Sequence, residues 1–390
     1  MKKTVSIFGV TWSIGDSCID IILSHKDNFD IVWIWANKNV QKLIDICKKI
    51  HPKYAVISDE SLLDQLKVWL EWEEGITILG GEESLNKIAS IKCDLFISAI
   101  VGIAGLKPTY NAIEAWSDIW LANKESLVCA GTIIMNKAKE KWVKVLPIDS
   151  EHNAIFQCIA DNNVKDITSI TLTASGGPFR SKRKEELKAV TKEMALKHPN
   201  WTMWQKISID SATMINKWLE VIEAYHIFDI DPKKIDVVVH PESVIHWMVT
   251  YIDWNTLAAM SPPDMRVPIA HVLWLPEKLS INTSSLNLIE LWKLTFEKPD
   301  LDKFEWLKLC LDLLKNNPGQ WCILNAANEV AVEAFLNDEI WFLDIVKVIK
   351  ETLNQNIKSK FASIEDVLRW DLDARVISRN IISELRKTVS

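Results

Sequence analysis

Short apolar runs separated by amphipathic stretches fill residues 1–148. The runs at 4–8, 31–35, 54–57, 77–79, 95–100, 119–121 and 143–146 have the length and residue types of strands. The segments between them, such as 40–50 and 106–115, repeat apolar residues with a helical period. Repeated strand–helix units predict a parallel, doubly wound α/β sheet of Rossmann-like type. Residues 149–275 are mixed, with strands expected at 166–174, 235–239, 244–251 and 256–260, a helix at 211–228 and a long polar loop at 175–205. This reads as an α+β domain. Residues 276–302 read as a polar linker containing Pro276 and Pro299. From 303 to 390 the pattern is helical, with candidates at 304–315, 323–336, 343–353 and 364–385, which predicts a small C-terminal helical bundle.

Length and charge narrow the function classes. A chain of 390 residues, 48% hydrophobic, has room for two or three cored domains. A net charge of −7 argues against general nucleic-acid binding. No uninterrupted apolar stretch is long enough to span a membrane, and the start Met-Lys-Lys-Thr-Val-Ser-Ile-Phe-Gly turns into a strand rather than a signal sequence. The seven cysteines are scattered with no CxxC pair. A cytoplasmic protein with reduced core thiols is expected.

Candidate chemistry collects at the predicted strand ends, where parallel sheets bind ligands. After the run 143–148 come Asp149, Ser150, Glu151, His152 and Asn153. If that link stays extended, the carboxylates of Asp149 and Glu151 point the same way, and hard oxygen ligands suit Mg²⁺ or Mn²⁺ better than Zn²⁺. The same residues read equally as a helix cap with Ser150 as N-cap. Gly9-Val-Thr11-Trp12-Ser13-Ile14-Gly15 lies between the first strand and helix, where a dinucleotide pyrophosphate docks, although the spacing is not GxGxxG. The second strand ends in Asn37-Lys38-Asn39 with no acid for a ribose hydroxyl; Lys38 suits a 2′-phosphate, favouring NADP over NAD. Asn123-Lys124-Glu125 can hold a ligand or cap a helix. Ser175-Gly176-Gly177 exposes backbone N–H groups to an anion or forms a plain turn. His198-Pro-Asn-Trp201 lies in the long loop. Beyond Ser211, Asn216 and Glu220 share a helix face with Lys217 one position round. That face reads either as solvated surface or as a third metal oxygen beside groups for a phosphate.

Taken together, LANKESLV, PIDSEHNAIFQ, TASGGPFR, HPNW, KISIDSATMINK, HPESVIH and PDMR-PIAH resemble the 1-deoxy-D-xylulose 5-phosphate reductoisomerase family over nearly the whole chain. The resemblance implies conversion of 1-deoxy-D-xylulose 5-phosphate to 2-C-methyl-D-erythritol 4-phosphate, an early step of non-mevalonate isoprenoid synthesis, by a homodimer using NADPH and Mg²⁺ or Mn²⁺. It implies Asp149, Glu151 and Glu220 as metal ligands. Lys124, Ser150, Glu151, Ser175, His198, Ser211, Asn216, Lys217 and Glu220 would surround the sugar phosphate. Thr11, Trp12, Ser13, Ile14, Asn37, Lys38, Asn39, Asn123, Glu125 and Trp204 would contact NADPH. The loop from Gly176 to Trp204 would close over the ligand. Two other readings compete: a metal-independent NADP dehydrogenase, and a catalytically impaired sugar-phosphate-binding homologue.

One departure from the family is systematic. Tryptophan outnumbers glycine, 19 to 11, where average usage of about 7% gives roughly 27 glycines. Trp12, Trp116, Trp120, Trp204, Trp218, Trp321 and Trp341 stand where the resemblance expects glycine, whereas Trp201 belongs to the family's own loop. Physical chemistry flags some of these sites unaided. Asp253-Trp254-Asn255 occupies a tight-turn position between two predicted strands, and Trp116 follows a helix end. An indole at Trp12 competes for space with a pyrophosphate. UGA is read as tryptophan in some genetic codes and as glycine in at least one bacterial code. The swap predicts UGA codons at such sites. If the tryptophans are genuine, cofactor binding and loop closure suffer, and the impaired homologue gains weight.

Overall fold

The computed structural model describes residues 2–159, 162–199, 204–305, 307, 313, 320–355 and 361–387. These residues fall into two compact units.

The first unit holds residues 1–126, 134–153 and 264–284. Its strands are β1 Lys3–Phe8, β2 Phe29–Ala36, β3 Tyr54–Ile57, β4 Thr77–Gly80, β5 Leu95–Ser98, β6 Asp118–Leu121 and β7 Val145–Pro147. They form one parallel sheet in the order β4-β3-β2-β1-β5-β6-β7. Continuous apolar runs make these strands because both faces are buried; β2 and β5 alternate no polar positions except Asp30 and Ser98. The strand order reverses between β1 and β5, so the ligand crevice of this topology opens beyond their C-terminal ends. The helix Ser13–Ser24 follows β1, and Val40–Ile50 follows β2, burying Val40, Leu43, Ile44, Ile46 and Cys47. Residues 264–284 cluster with this unit. Their helix Arg266–Leu273 places Ile269, Ala270, Val272 and Leu273 in one core with Cys18, Ile19 and Ile22, and Arg266 meets Asp20 at 3.2 Å. By pattern this segment spans the end of the mixed stretch and the start of the linker; an amphipathic pattern alone does not say which core a helix joins.

The second unit holds residues 127–133, 154–263 and 285–390. Strands β8 Ile167–Ala174, β9 Ile235–Val239, β10 Ile245–Tyr251 and β11 Thr256–Met260 form a sheet in the order β11-β10-β8-β9, with β8–β9 parallel and the other pairs antiparallel. The helices Trp321–Leu336, Asp344–Leu353 and Ile364–Lys387 pack on one another, and all three supply residues to one core with Ile170, Leu172 and Trp247 of this sheet. The C-terminal helices are therefore continuous with the sheet's core. The expected helix at 304–315 lies largely outside the described residues, as do Asn200 and Trp201.

The expected helix at 211–228 is two helices, Gln205–Ala212 and Ile215–Phe228. Met214 between them sits at φ 65°, a left-handed conformation that ends the first helix. The apolar period runs unbroken through this joint, so the sequence hid it.

Candidate active site

At the C-terminal edge of the first unit's sheet, β7 delivers Asp149 to the start of the helix Ser150–Ile159. The Asp149 carboxylate accepts the Glu151 N–H at 3.1 Å, and its carbonyl accepts the Asn153 N–H at 2.9 Å. Asp149 itself is the helix cap, and Ser150 is already helical. The 149–151 link is turned rather than extended, which corrects the sequence reading. A carboxylate at a helix N-terminus is stabilised by the exposed N–H groups and the dipole. Ser150 Oγ donates to Glu151 Oε2 at 2.6 Å.

The capping role does not remove Asp149 from chemistry. Lys124, at the start of the helix Lys124–Lys141, places Nζ 2.8 Å from Asp149 Oδ2. The fully buried His152 places Nδ1 3.3 Å from Asp149 Oδ1. Burial pushes the Asp149 carboxyl up, but the Lys124 cation, the His152 contact and the Glu151 side chain outweigh it and hold the group well below the usual carboxylate range. Asn123 caps the Lys124 helix by accepting the Ser126 N–H at 3.1 Å, while its amide donates to the carbonyls of Ile100 and Gly102 at 2.6 and 2.8 Å. It also reaches Glu125 Oε2 at 3.3 Å. Asn123 thus ties the end of β6 to the turn after β5.

The turn after β1 is built for close approach. Gly9 has φ 99°, and a Cβ there would lie 2.7 Å from the Ala99 carbonyl beyond β5; a Cβ on Gly15 would lie 2.4 Å from the Val10 carbonyl. The two glycines let the turn fold into the crevice at the strand-order reversal. Thr11 is buried, Trp12 and Ile14 are half-buried and Ser13 is exposed. Trp12 is the N-cap residue of the helix Ser13–Ser24, at φ −97°, and makes no side-chain cap bond; an indole offers a donor where helix N–H groups need an acceptor. Asn37, Lys38 and Asn39 are exposed after β2, and Asn39 caps the next helix through the Lys42 N–H at 3.2 Å. Lys42 was missed in the sequence. Its Nζ reaches the Thr11 carbonyl at 3.0 Å and Asp16 at 2.6 Å, joining the second helix to the turn. A lysine on the polar face of an amphipathic helix gives no signal of such a role.

In the second unit, β8 ends in Ser175-Gly176-Gly177. Ser175 Oγ lies 2.9 Å from His198 Nε2 and accepts the Gly177 N–H at 3.2 Å. Gly177 has φ 64°, and a Cβ there would lie 2.7 Å from the Ser211 carbonyl. The turn therefore presses against the helix Gln205–Ala212, bringing Ser175, His198 and Ser211 into one neighbourhood. Burial lowers the His198 pKa to about 4, so its imidazole is neutral near pH 7. Between Ser175 and this helix the chain forms the short helical segments Lys184–Ala189 and Lys192–Ala195. Trp204 precedes the helix as its N-cap residue, with its side chain exposed.

On the helix Ile215–Phe228, Asn216 donates to Glu220 Oε1 at 2.5 Å, and the Lys217 ammonium contacts the other Glu220 oxygen. Lys217 and Glu220 are both buried, which removes the solvated-face reading. Buried charges persist only when paired and hydrogen-bonded. Asp210, also missed in the sequence, is buried between Lys206 at 2.8 Å and Asn328 at 2.9 Å, and anchors the Ser211 helix to Trp321–Leu336.

Comparison with known proteins shows the family over nearly the whole chain. Models described as 1-deoxy-D-xylulose 5-phosphate reductoisomerase and its C-terminal domains match residues 5–131, 145–228 and 260–377. The chain is 46% identical over 376 residues to a 1-deoxy-D-xylulose 5-phosphate reductoisomerase of Clostridium perfringens, covering 96% of this chain and 98% of that protein. It is 43% identical over 383 residues to one of Zymomonas mobilis, covering 98% of each. Among solved structures, a Zymomonas mobilis 1-deoxy-D-xylulose 5-phosphate reductoisomerase in complex with NADPH superposes with a TM-score of 0.92 at 42% identity, over 98% of this chain and 99% of that one. A DOX-P reductoisomerase in complex with NADPH, fosmidomycin and magnesium gives a TM-score of 0.92 at 40% identity, over 98% and 99%.

Proposed function

Because the chain belongs to the 1-deoxy-D-xylulose 5-phosphate reductoisomerase family, we propose that it rearranges and reduces 1-deoxy-D-xylulose 5-phosphate to 2-C-methyl-D-erythritol 4-phosphate with NADPH and a divalent metal. Asp149, Glu151 and Glu220 are the metal ligands in this reading. The donor set fits Mg²⁺ or Mn²⁺: all three ligands are carboxylates. The observation that carries the metal assignment is Asp149, nearly buried at the sheet edge yet held ionised beside Lys124. When bound, the metal polarises the substrate carbonyl and stabilises developing negative charge, and NADPH supplies the hydride.

The remaining work falls to side chains of this chain. Lys124 and the Glu151 N–H orient the Asp149 carboxylate. Asn216 and Lys217 orient Glu220. Ser175, His198, Ser211, Asn216 and Lys217 grip the phosphate; a neutral His198 serves as a hydrogen-bonding group, so the charge facing a phosphate dianion comes from Lys217. Ser150 and Lys124 hold the hydroxyl end. Binding energy from the phosphate positions the reacting carbons. Thr11, Trp12, Ser13 and Ile14, with Asn37, Lys38 and Asn39, line the NADPH side, together with Asn123, Glu125 and Trp204. Closure of the segment from Gly176 to Trp204 would exclude water.

In this reading residues 1–148 serve as the NADPH-binding domain and 149–275 as the catalytic domain, except that the helix Arg266–Leu273 packs in the first unit's core; 276–302 is the linker, and the helical region 303–390 shares the core of the catalytic sheet. Two further features belong to this reading. A homodimer is supported by the edge strand β11, whose Leu257 and Met260 are exposed. A reducing cytoplasm is supported by six described cysteines that are all free and buried, and no helix among the described residues is long and apolar enough to cross a membrane. The test is NADPH oxidation with 1-deoxy-D-xylulose 5-phosphate, with and without EDTA. Substrate-dependent oxidation abolished by EDTA and restored by Mg²⁺ or Mn²⁺ is expected. Oxidation that survives EDTA removes the metal role, and none under any condition removes the function. Sedimentation velocity checks the dimer.

A further inference from the structure

We infer that Trp116, Trp142, Trp254 and Trp292 occupy glycine positions, each encoded by UGA, and that the cell of origin places glycine there. The inference stands on backbone geometry and is independent of the proposed function.

Nine non-glycine residues among those described have positive φ, and four of them are tryptophan: Trp116 at 58°, Trp142 at 57°, Trp254 at 66° and Trp292 at 58°. His51, Asp229 and Asp338 are three of the others, and they are of the types that tolerate this region; a bulky indole does not. The hydrogen bonds identify what each site is. At the end of the helix Leu106–Glu114, Ser117 N–H bonds the Ala112 carbonyl at 3.1 Å and Trp116 N–H bonds Ile113 at 3.0 Å. At the end of Lys124–Lys141, Val143 N–H bonds Ala138 at 2.9 Å and Trp142 N–H bonds Lys139 at 3.3 Å. Both are Schellman motifs with tryptophan at the left-handed position that glycine usually fills. Between β10 and β11, Trp254 N–H bonds the Tyr251 carbonyl at 2.9 Å, and Tyr251 N–H bonds Asn255 at 2.9 Å. That is a three-residue hairpin loop whose last residue is left-handed, again a glycine site. Trp292 ends the short helix Leu288–Leu291.

The side chains contribute little in return. Exposure is 57% for Trp116, 93% for Trp142, 77% for Trp254 and 91% for Trp292. The ring of Trp116 lies 4.1 Å from Lys141 Nζ, a surface contact. A second group shows the converse misfit. Trp120, Trp218 and Trp321 are buried with no hydrogen-bond partner for the indole N–H among the described residues, although buried indoles usually find one. Tryptophan is thus strained where glycine is favoured by φ, and unsatisfied where a small residue would bury no donor.

The codons of the gene at 116, 142, 254 and 292 test this directly. UGA at all four is expected, and UGG at any of them overturns the assignment for the set. Peptide mass spectrometry on protein from the native cell reads the same positions; glycine supports the inference and tryptophan defeats it. The physical part is tested on recombinant protein. A variant carrying Trp116→Gly, Trp142→Gly, Trp254→Gly and Trp292→Gly should melt several degrees above the tryptophan chain. Melting at or below it overturns the claim that these are glycine sites.

Discussion

Each unit holds a lysine–carboxylate pair of the same chemistry in different surroundings. Asp149 and Lys124, themselves largely buried, meet at the C-terminal edge of a parallel sheet, where the Asp149 carboxylate also accepts a helix N–H. Glu220 and Lys217 meet on one helix, and both are buried. In the first pair topology does the placing: strand ends and helix starts converge there in any doubly wound sheet. In the second the fold holds two charges away from water, which is unfavourable unless both stay paired. A helix that needed only stability would place apolar residues there. Charges at such positions fit the metal-ligand role proposed for Glu220.

The largest effect expected is on activity. Asp149→Asn and Glu220→Gln, one in each unit, should each lower kcat/KM by about three orders of magnitude, several kcal/mol of transition-state stabilisation. Near-normal activity with unchanged metal dependence in either variant would remove that carboxylate from the proposed metal set. The next effect is on stability, and it separates the pairs. Lys217→Met leaves a deeply buried Glu220 and should cost about 3 kcal/mol in denaturant unfolding. Lys124→Met leaves Asp149 its cap bond and the helix dipole, and should cost about 1–2 kcal/mol. Equal losses would mean that surroundings do not distinguish the pairs.

Acid should sharpen the contrast. Burial lowers His198 and His226 in the second unit and His271 in the first, each to about 4. His226 is packed against the rings of Tyr225 and Trp321. For each, the unfolded chain binds the proton more readily, so stability is full above about pH 6.5 and falls as pH drops toward 4. For His226, the most deeply placed, the loss reaches at most roughly 3 kcal/mol; His198 and His271 are half-buried and lose less. Hydrogen exchange at pH 7 and pH 5 should therefore show the second unit, with two such histidines, losing more protection than the first. His226→Phe should flatten that difference; equal sensitivity of both units would contradict it.

How much of this was legible in the sequence follows from the same physics. Strands β3, β9 and β11 and the helix Val40–Ile50 begin and end where their patterns do, because apolar period and burial coincide there. The Met214 joint was invisible, since a left-handed methionine leaves no mark on an apolar period. The motif Asp149-Ser-Glu151 was read as bearing a site, but its geometry was not: the cap fell on Asp149, one residue before Ser150. Burial of Lys217 and Glu220 could not be read from i, i+3 spacing, which serves solvated faces equally well. Asn328 and Lys42 carried no signal, because their partners lie far along the chain; Asp210 has Lys206 four residues away, but that spacing serves a solvated helix face equally well. The tryptophans at 116 and 254 were legible as misplaced from flanking residues alone; Trp142 and Trp292 needed φ.

The smallest effect expected concerns Lys42. Its ammonium spans the Thr11 carbonyl and Asp16, tying the turn after β1 to the helix Val40–Ile50. The pair is about one-third exposed on the lysine side and half exposed on the aspartate side, so Lys42→Met should cost only about 0.5 kcal/mol of stability. The Thr11 carbonyl belongs to the turn proposed to approach the pyrophosphate, and a turn held in place binds with less ordering cost. KM for NADPH should rise about threefold in Lys42→Met, with kcat nearly unchanged. Lys42→Arg, whose fork can reach both acceptors, should recover most of the loss. A lowered kcat with unchanged KM would place Lys42 outside cofactor binding. An unchanged enzyme would show that the turn is held by Gly9 and Gly15 packing alone, and that the cofactor side of the molecule depends less on charge pairing than the metal side does.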